Sequence, residues 1–172
     1  MPGFTQSSMI GVDYNNPSST ALFALGGKSL GSNDSEWVYC IATGTITTGM
    51  FCGVLSLGTA YMVTTALIAG GDTAGTTGAL DLAVAQFTVP QGQYAWFARQ
   101  GLGLYVLCSA TCPNGVNMGF SPNSGAITTS LGVAVGNTAV GIYITTSAST
   151  ATLSVTTATL RFPRPIAAVP GA

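Results

Sequence analysis

A chain with almost no lysine, arginine, glutamate or aspartate has little from which to build solvated helices. Charged residues are 5% of these 172, as four Lys or Arg and five Asp or Glu, and there is no His. An ordinary domain carries about a quarter. The long charged side chains that favour exposed helices are therefore missing, while Thr and Val are frequent and Gly numbers 23. β-Branched and aromatic residues suit a pleated, half-buried surface. Low charge beside 47% hydrophobic residues is also the reverse of a disordered composition. The chain is expected to be all-β.

The order of residues agrees. Segments of strand character recur between Gly, Asn and Ser at 20–25, 36–43, 50–55, 61–68, 80–89, 93–99, 102–108, 125–129, 131–135, 140–145 and 152–162. In 36–43, Trp37, Tyr39 and Ile41 alternate with Val38, Cys40 and Ala42, so both faces are apolar, as in a strand covered on both sides. Pro90-Gln91-Gly92 turns the chain into 93–99, where Tyr94 and Trp96 share a face. Pro163-Arg164-Pro165 is expected to end the last strand, because Pro cannot donate to a ladder. The one place for a short helix is 61–69, and no repeat of fixed period is visible. Many short strands with regular turn signals predict a compact β-barrel or β-sandwich domain with an extended N-terminal arm. The expected organisation is an arm at 1–20, a β-rich core domain at 21–162 and a C-terminal tail at 163–172. The arm lacks periodicity but carries Phe4, Met9, Ile10, Val12 and Tyr14 among Pro2, Gly3, Gly11 and Asn15-Asn16-Pro17. So many apolar anchors imply docking, on its own domain or on a neighbour.

Several function classes fall away. Lys28, Arg99, Arg161 and Arg164 are scattered, so no phosphate-binding cluster exists and nucleic acid is not an expected partner. The most apolar stretch, 57–69, is too short to span a bilayer and contains Gly58, Thr59, Thr64 and Thr65. Met1-Pro2-Gly3-Phe4-Thr5-Gln6 has neither the basic start nor the apolar block of a secretion signal. Cys40, Cys52, Cys108 and Cys112 are accordingly expected as reduced, mostly buried thiols. The three-residue gap between Cys108 and Cys112 is not the usual metal knuckle, although a Cys₄ zinc site or two disulfides remain conceivable. Without His, Ser-His-Asp and Cys-His mechanisms are excluded. The closest carboxylate pair, Asp34 and Glu36, reads as a solvated turn before a hydrolase pair. Gly26-Gly27-Lys28-Ser29 has Leu22 where a phosphate loop needs its first Gly, and Gly101-Leu102-Gly103 lacks the third Gly of a dinucleotide fingerprint. No catalytic residue, metal ligand or cofactor site emerges, and the chain is not expected to be an enzyme.

A free monomer usually keeps itself dissolved with a surface of mixed charge. This chain cannot supply one, so much of its exterior is expected to be covered by other protein. Trp37, Tyr39, Tyr94, Trp96 and Phe97 concentrate the aromatics, which read as core or interface anchors before sugar-stacking platforms. The interface candidates are Phe4, Met9, Ile10, Val12, Tyr14, Trp37, Tyr94 and Trp96.

The opening Gly3-Phe4-Thr5-Gln6-Ser7-Ser8-Met9-Ile10-Gly11-Val12-Asp13, continued by Asn16-Pro17-Ser18-Ser19-Thr20-Ala21-Leu22-Phe23, resembles the start of a group of small tailed-bacteriophage head proteins. The resemblance extends to Ser35-Glu36-Trp37-Val38-Tyr39, with Ala42 and Gly44-Thr45-Ile46, and to Gln93-Tyr94-Ala95-Trp96-Phe97 before Gly101. It carries no catalytic signature and fades beyond Gly101, where charges thin out and Cys108 and Cys112 appear. It implies a capsid decoration (cement) protein: β-rich, a homo-oligomer and often a trimer, bound to the major capsid protein on the outer surface of the virion head. A phage tail or fibre module that binds a receptor or glycan is the alternative.

Overall fold

Where apolar residues fill both faces of a short run, the run can form a strand only if something covers each face. Here two barrels do so. The computed structural model describes residues 12–55, 58–62, 81–109, 112, 118–120, 125–129, 138–145 and 153–165. Among them there is no helix. The strands are β1 (Lys28–Leu30), β2 (Glu36–Ala42), β3 (Phe51–Val54), β4 (Thr59–Met62), β5 (Asp81–Val84), β6 (Tyr94–Cys108), β7 (Met118–Phe120), β8 (Ile127–Thr129), β9 (Thr138–Ile144) and β10 (Ser154–Pro165).

Five of them, in the order β2-β4-β3-β5-β6, close a barrel that the β2–β6 pairing seals. β2 and β4 run parallel; the other neighbours are antiparallel. The interior holds Val38, Cys40, Ala42, Cys52, Val54, Ala60, Ala83, Ala95 and Phe97, mostly small side chains that suit a narrow barrel. The alternate residues Trp37, Tyr39, Phe51, Leu82, Val84, Trp96 and Ala98 belong to a second buried cluster. Both faces of β2 are thus covered, as its double alternation indicated.

The remaining strands close a second ring, β6-β10-β9-β7-β8 and back to β6 through the parallel pair Cys108↔Ile127. Leu104, Val106, Cys108, Met118, Ile127, Ile142, Ile144, Ala158 and Leu160 lie in its cluster. The connectivity of the two rings matches strand for strand. In each, the first strand pairs parallel with the third and antiparallel with the fifth, and the second pairs with the third and fourth. β6 is the last strand of one ring and the first of the next. A trace survives in the chain: Val38-Tyr39-Cys40-Ile41-Ala42-Thr43 and Val106-Leu107-Cys108-Ser109-Ala110-Thr111 agree at Val, Cys, Ala and Thr. The repeat is one of connectivity and not of fixed period. The longer connection from β4 to β5 than from β8 to β9 prevents any fixed period.

Several strand assignments differ from the sequence reading. Gly101 and Gly103 look like a break, yet β6 runs through both for 15 residues. Gly101 has φ 151°, and a Cβ there would come within 3.1 Å of Ser35 Cβ and 3.3 Å of Leu104 Cδ1, so the missing side chain lets β6 pass from one barrel to the other. Residues 20–25 are not a strand, whereas Lys28–Leu30, outside the expected strands, is one because it pairs with β2. β10 does not stop at Phe162. After a register shift between Leu160 and Arg164, its ladder to β9 resumes at Arg164↔Val140 and Pro165↔Ala139, and a bulge is where a sheet tolerates Pro. Tyr61 and Met62 belong to β4, while the rest of the suggested helix at 61–69 and the strand at 131–135 lie outside the described residues.

One side chain completes a ladder. Gln86, 6% exposed, follows the end of β5; its Nε2 donates to the Tyr105 carbonyl at 3.1 Å and its Oε1 accepts from the Tyr105 N–H at 2.9 Å. The amide thus stands in for a strand residue. Gln86→Leu, which leaves both Tyr105 groups unpaired, is expected to destabilise the protein by about 2–3 kcal/mol. The measurement is a lower urea midpoint at unchanged m-value.

Candidate functional site

The aromatic residues proposed as interface anchors are used within the chain. Tyr14 is 2% exposed; its ring stacks on Trp37 at 4.6 Å and meets Trp96 edge-on at 5.9 Å. Its O–H donates to the Leu30 carbonyl at 3.1 Å and accepts from Ser29 Oγ at 2.8 Å. Ser18 and Tyr94 exchange backbone hydrogen bonds, each 2.8 Å. Phe23 packs edge-on against Tyr39 and Trp96, both at 5.3 Å. Residues 12–20 therefore dock on their own domain. Trp37 and Trp96, 0% and 1% exposed, and Tyr14 have no surface left to offer a neighbour, which corrects their assignment as interface residues. An alternating aromatic face looks the same in sequence whether the chain's own arm or another subunit covers it. Tyr94 is half-buried and stacks on Tyr39 at 6.2 Å, and Val12 is half-buried against the same cluster. Phe4, Met9 and Ile10 lie outside the described residues.

What the described surface does present is mostly aliphatic. Leu22, Leu25 and Leu30 are exposed before and on β1, Leu102 in mid-β6, and Tyr143, Leu153 and Val155 on and beside β9 and β10. Around the last group the polar atoms are hydroxyls: Thr145 and Thr157 bond to one another at 2.9 Å. These residues were not singled out from the sequence, because isolated Leu and Val in a Thr-rich strand resemble core positions.

One buried cation organises an ion-pair network. Arg99, 8% exposed, places Nη1 at 3.2 Å from Glu36 Oε1 and Nη2 at 2.9 Å from Asp81 Oδ2, and Lys28 Nζ lies 3.7 Å from the same Glu36 oxygen. The network ties β1, β2, β5 and β6 together. It also gives the Glu36 carboxylate two cationic partners, while Asp34 stands apart in the preceding turn. Asp13 accepts from Asn15 N–H at 2.8 Å and Asn16 Nδ2 at 2.6 Å.

All four cysteines are free and buried, as expected of reduced thiols. Burial pushes the Cys40 thiol up to about 12, against a smaller opposing pull from the Arg99 guanidinium. Burial, reinforced by Cys40, also raises Cys52 well above the ordinary thiol range. Cys108 is raised by its hydrogen bond with Cys112 and by burial. Such thiols are protonated at neutral pH and poor nucleophiles. Among the described residues no three His, Cys, Asp or Glu side chains gather as a metal site, and no helix is long and apolar enough to cross a membrane.

No protein-family model matches the chain, and no curated protein matches it in sequence. Among solved structures, the N base of the head fiber gp8.5 of bacteriophage phi29 aligns with a TM-score of 0.47 at 10% identity, over 74% of this chain and 95% of that one. A likeness so slight does not bear on what the chain does.

Proposed function

We propose that the chain is a structural, non-enzymatic virion protein: a decoration (cement) subunit that binds the outer surface of an expanded phage head. The observation that carries this reading is the surface itself. Exposed Leu, Tyr and Val side chains sit among hydroxyls, while the buried cation Arg99 and its partners are turned to holding strands together. Such a surface gains by being covered with protein. The patchwise resemblance of residues 3–101 to small phage head proteins supports the same reading. A protein that binds the expanded lattice and not its precursor stabilises the expanded state by mass action against the pressure of packed DNA. The partners are the major capsid protein and further copies of the chain, as a trimer. Low charge limits repulsion between crowded copies.

The test is to mix purified protein with empty expanded heads. Saturable binding in a fixed ratio, with heads that resist heat longer, is expected; no saturable binding would sink the proposal, and attachment at a few sites per particle would favour a fibre module. The arm can be tested in the same assay. Since Tyr14 belongs to the core, the arm proposed to reach a neighbour is the part before Val12. Deleting residues 2–11 should lower occupancy while leaving the melting temperature unchanged, whereas deleting 2–19 should unfold the domain. Full occupancy without residues 2–11 would remove the arm from the mechanism.

A further inference from the structure

Of the charged side chains the structure describes, all but two have partners within the chain. Asp13 bonds to Asn15 and Asn16, and Lys28, Glu36, Asp81 and Arg99 form the network above. The two exceptions are Asp34 and Arg161, and both line one cleft, of about 340 Å³. In a chain this poor in charge, that convergence is the most pointed feature of the surface.

The cleft lies where β6 exchanges β2 for β10 as its neighbour. Gln100 is in register with both Glu36 and Arg161, and Gly101 with Leu160. The pairing shifts register here on both sides, between Glu36 and Trp37 and between Ala158 and Leu160. Bulges of this kind re-aim side chains and recur beside binding sites. The opposite wall is the turn before β2, where Asn33 and Asp34 have φ of 58° and 52°. Two successive non-glycine residues in the left-handed region are strained, and Asn and Asp are the types that accept it best. The turn is held by Leu102 N–H donating to the Asn33 carbonyl at 3.1 Å and by Ser35 Oγ donating to the Ser32 carbonyl at 2.6 Å. Asp34 is therefore presented from a fixed loop. Gln100 and Thr159 add an amide and a hydroxyl, and exposed Leu102 adds an apolar patch.

No ion pair joins Asp34 to Arg161, so the cleft presents a carboxylate and a guanidinium separately. An anion that reached Arg161 would meet Asp34, and a cation would meet Arg161. A hydroxyl group satisfies both, since it accepts from guanidinium or amide and donates to carboxylate. A sugar ring carries adjacent hydroxyls and an apolar C–H face that can lie on Leu102, and the volume is at the small end of ligand sites. We propose that this cleft binds a neutral saccharide. The inference does not rest on the decoration reading, and the head-binding assay and the sugar assay fail independently.

The experiment is saturation-transfer NMR on the full chain with glucose, galactose, mannose and N-acetylglucosamine, and with glycine as a small zwitterion. Asp34→Gly, which suits the left-handed backbone, and Arg161→Ala, at an exposed position, are run beside it with thermal melts. At least one sugar should receive saturation, and either substitution should weaken it by about tenfold, the loss of one charge-assisted hydrogen bond, with the melting temperature unchanged. Silence from all four sugars, transfer to glycine alone, or sugar binding that survives both substitutions would overturn the assignment.

Discussion

Tyr14→Ala is expected to remove about 4 kcal/mol of stability, the range found when a large aromatic is cut from a core. Natural domains have only about 5–15 kcal/mol in all, so this single change should bring the protein close to unfolding. The ring fills the space over Trp37 and Trp96, and its hydroxyl bonds to the buried Ser29 side chain and the Leu30 carbonyl. Its removal opens a cavity and takes away both hydrogen bonds of the hydroxyl. Tyr14→Phe keeps the ring and should cost about 1–2 kcal/mol through the lost hydrogen bonds. Equilibrium urea unfolding of the two variants gives both numbers. If Tyr14→Ala unfolds at the wild-type midpoint, the segment 12–20 is not part of the core in solution.

Raising the pH should destabilise the protein through Cys40. Its thiol is held up to about 12 in the folded chain from an ordinary value of 9.0, mainly by burial. Above 9 the unfolded chain gives up this proton while the folded chain keeps it, so the native state binds more protons and stability falls as pH rises. The contribution is fully present below 9 and is lost between 9 and 12, about 4 kcal/mol at roughly 1.4 kcal/mol for each pH unit. Cys52, raised for the same reason, adds to the slope in the same direction. The discriminating comparison is wild type against Cys40→Ala. The variant should lose less stability between pH 9 and 11, although it begins slightly less stable at pH 7. Parallel pH profiles for the two proteins would show that Cys40 does not hold its proton in the folded state.

The sequence carried the strand class because its residue types left little choice: a chain short of Glu, Lys and Arg but full of Thr, Val and Gly has few routes to a solvated helix. The alternation in 36–43 even announced that β2 is covered on both faces. A barrel was among the two expected architectures, but a second ring sharing β6 was not legible, because it depends on β6 meeting β2 and β10 at different points along its length, and glycine at 101 reads locally as an interruption. The aromatic faces were recognised and their cover misassigned, since Tyr14 lies far enough back in the chain to look like part of an arm. The cleft was missed for a related reason. Asp34 and Arg161 are far apart in sequence, and neither has a neighbour whose spacing marks it as functional.

The shared strand has a consequence for how the molecule yields. β6 supplies a wall to each ring, and the cluster that lines the second also covers the outer face of the first, so the first barrel cannot be pulled open without disturbing the other's lining. Two repeats that could have melted in succession are therefore expected to unfold in a single all-or-none event.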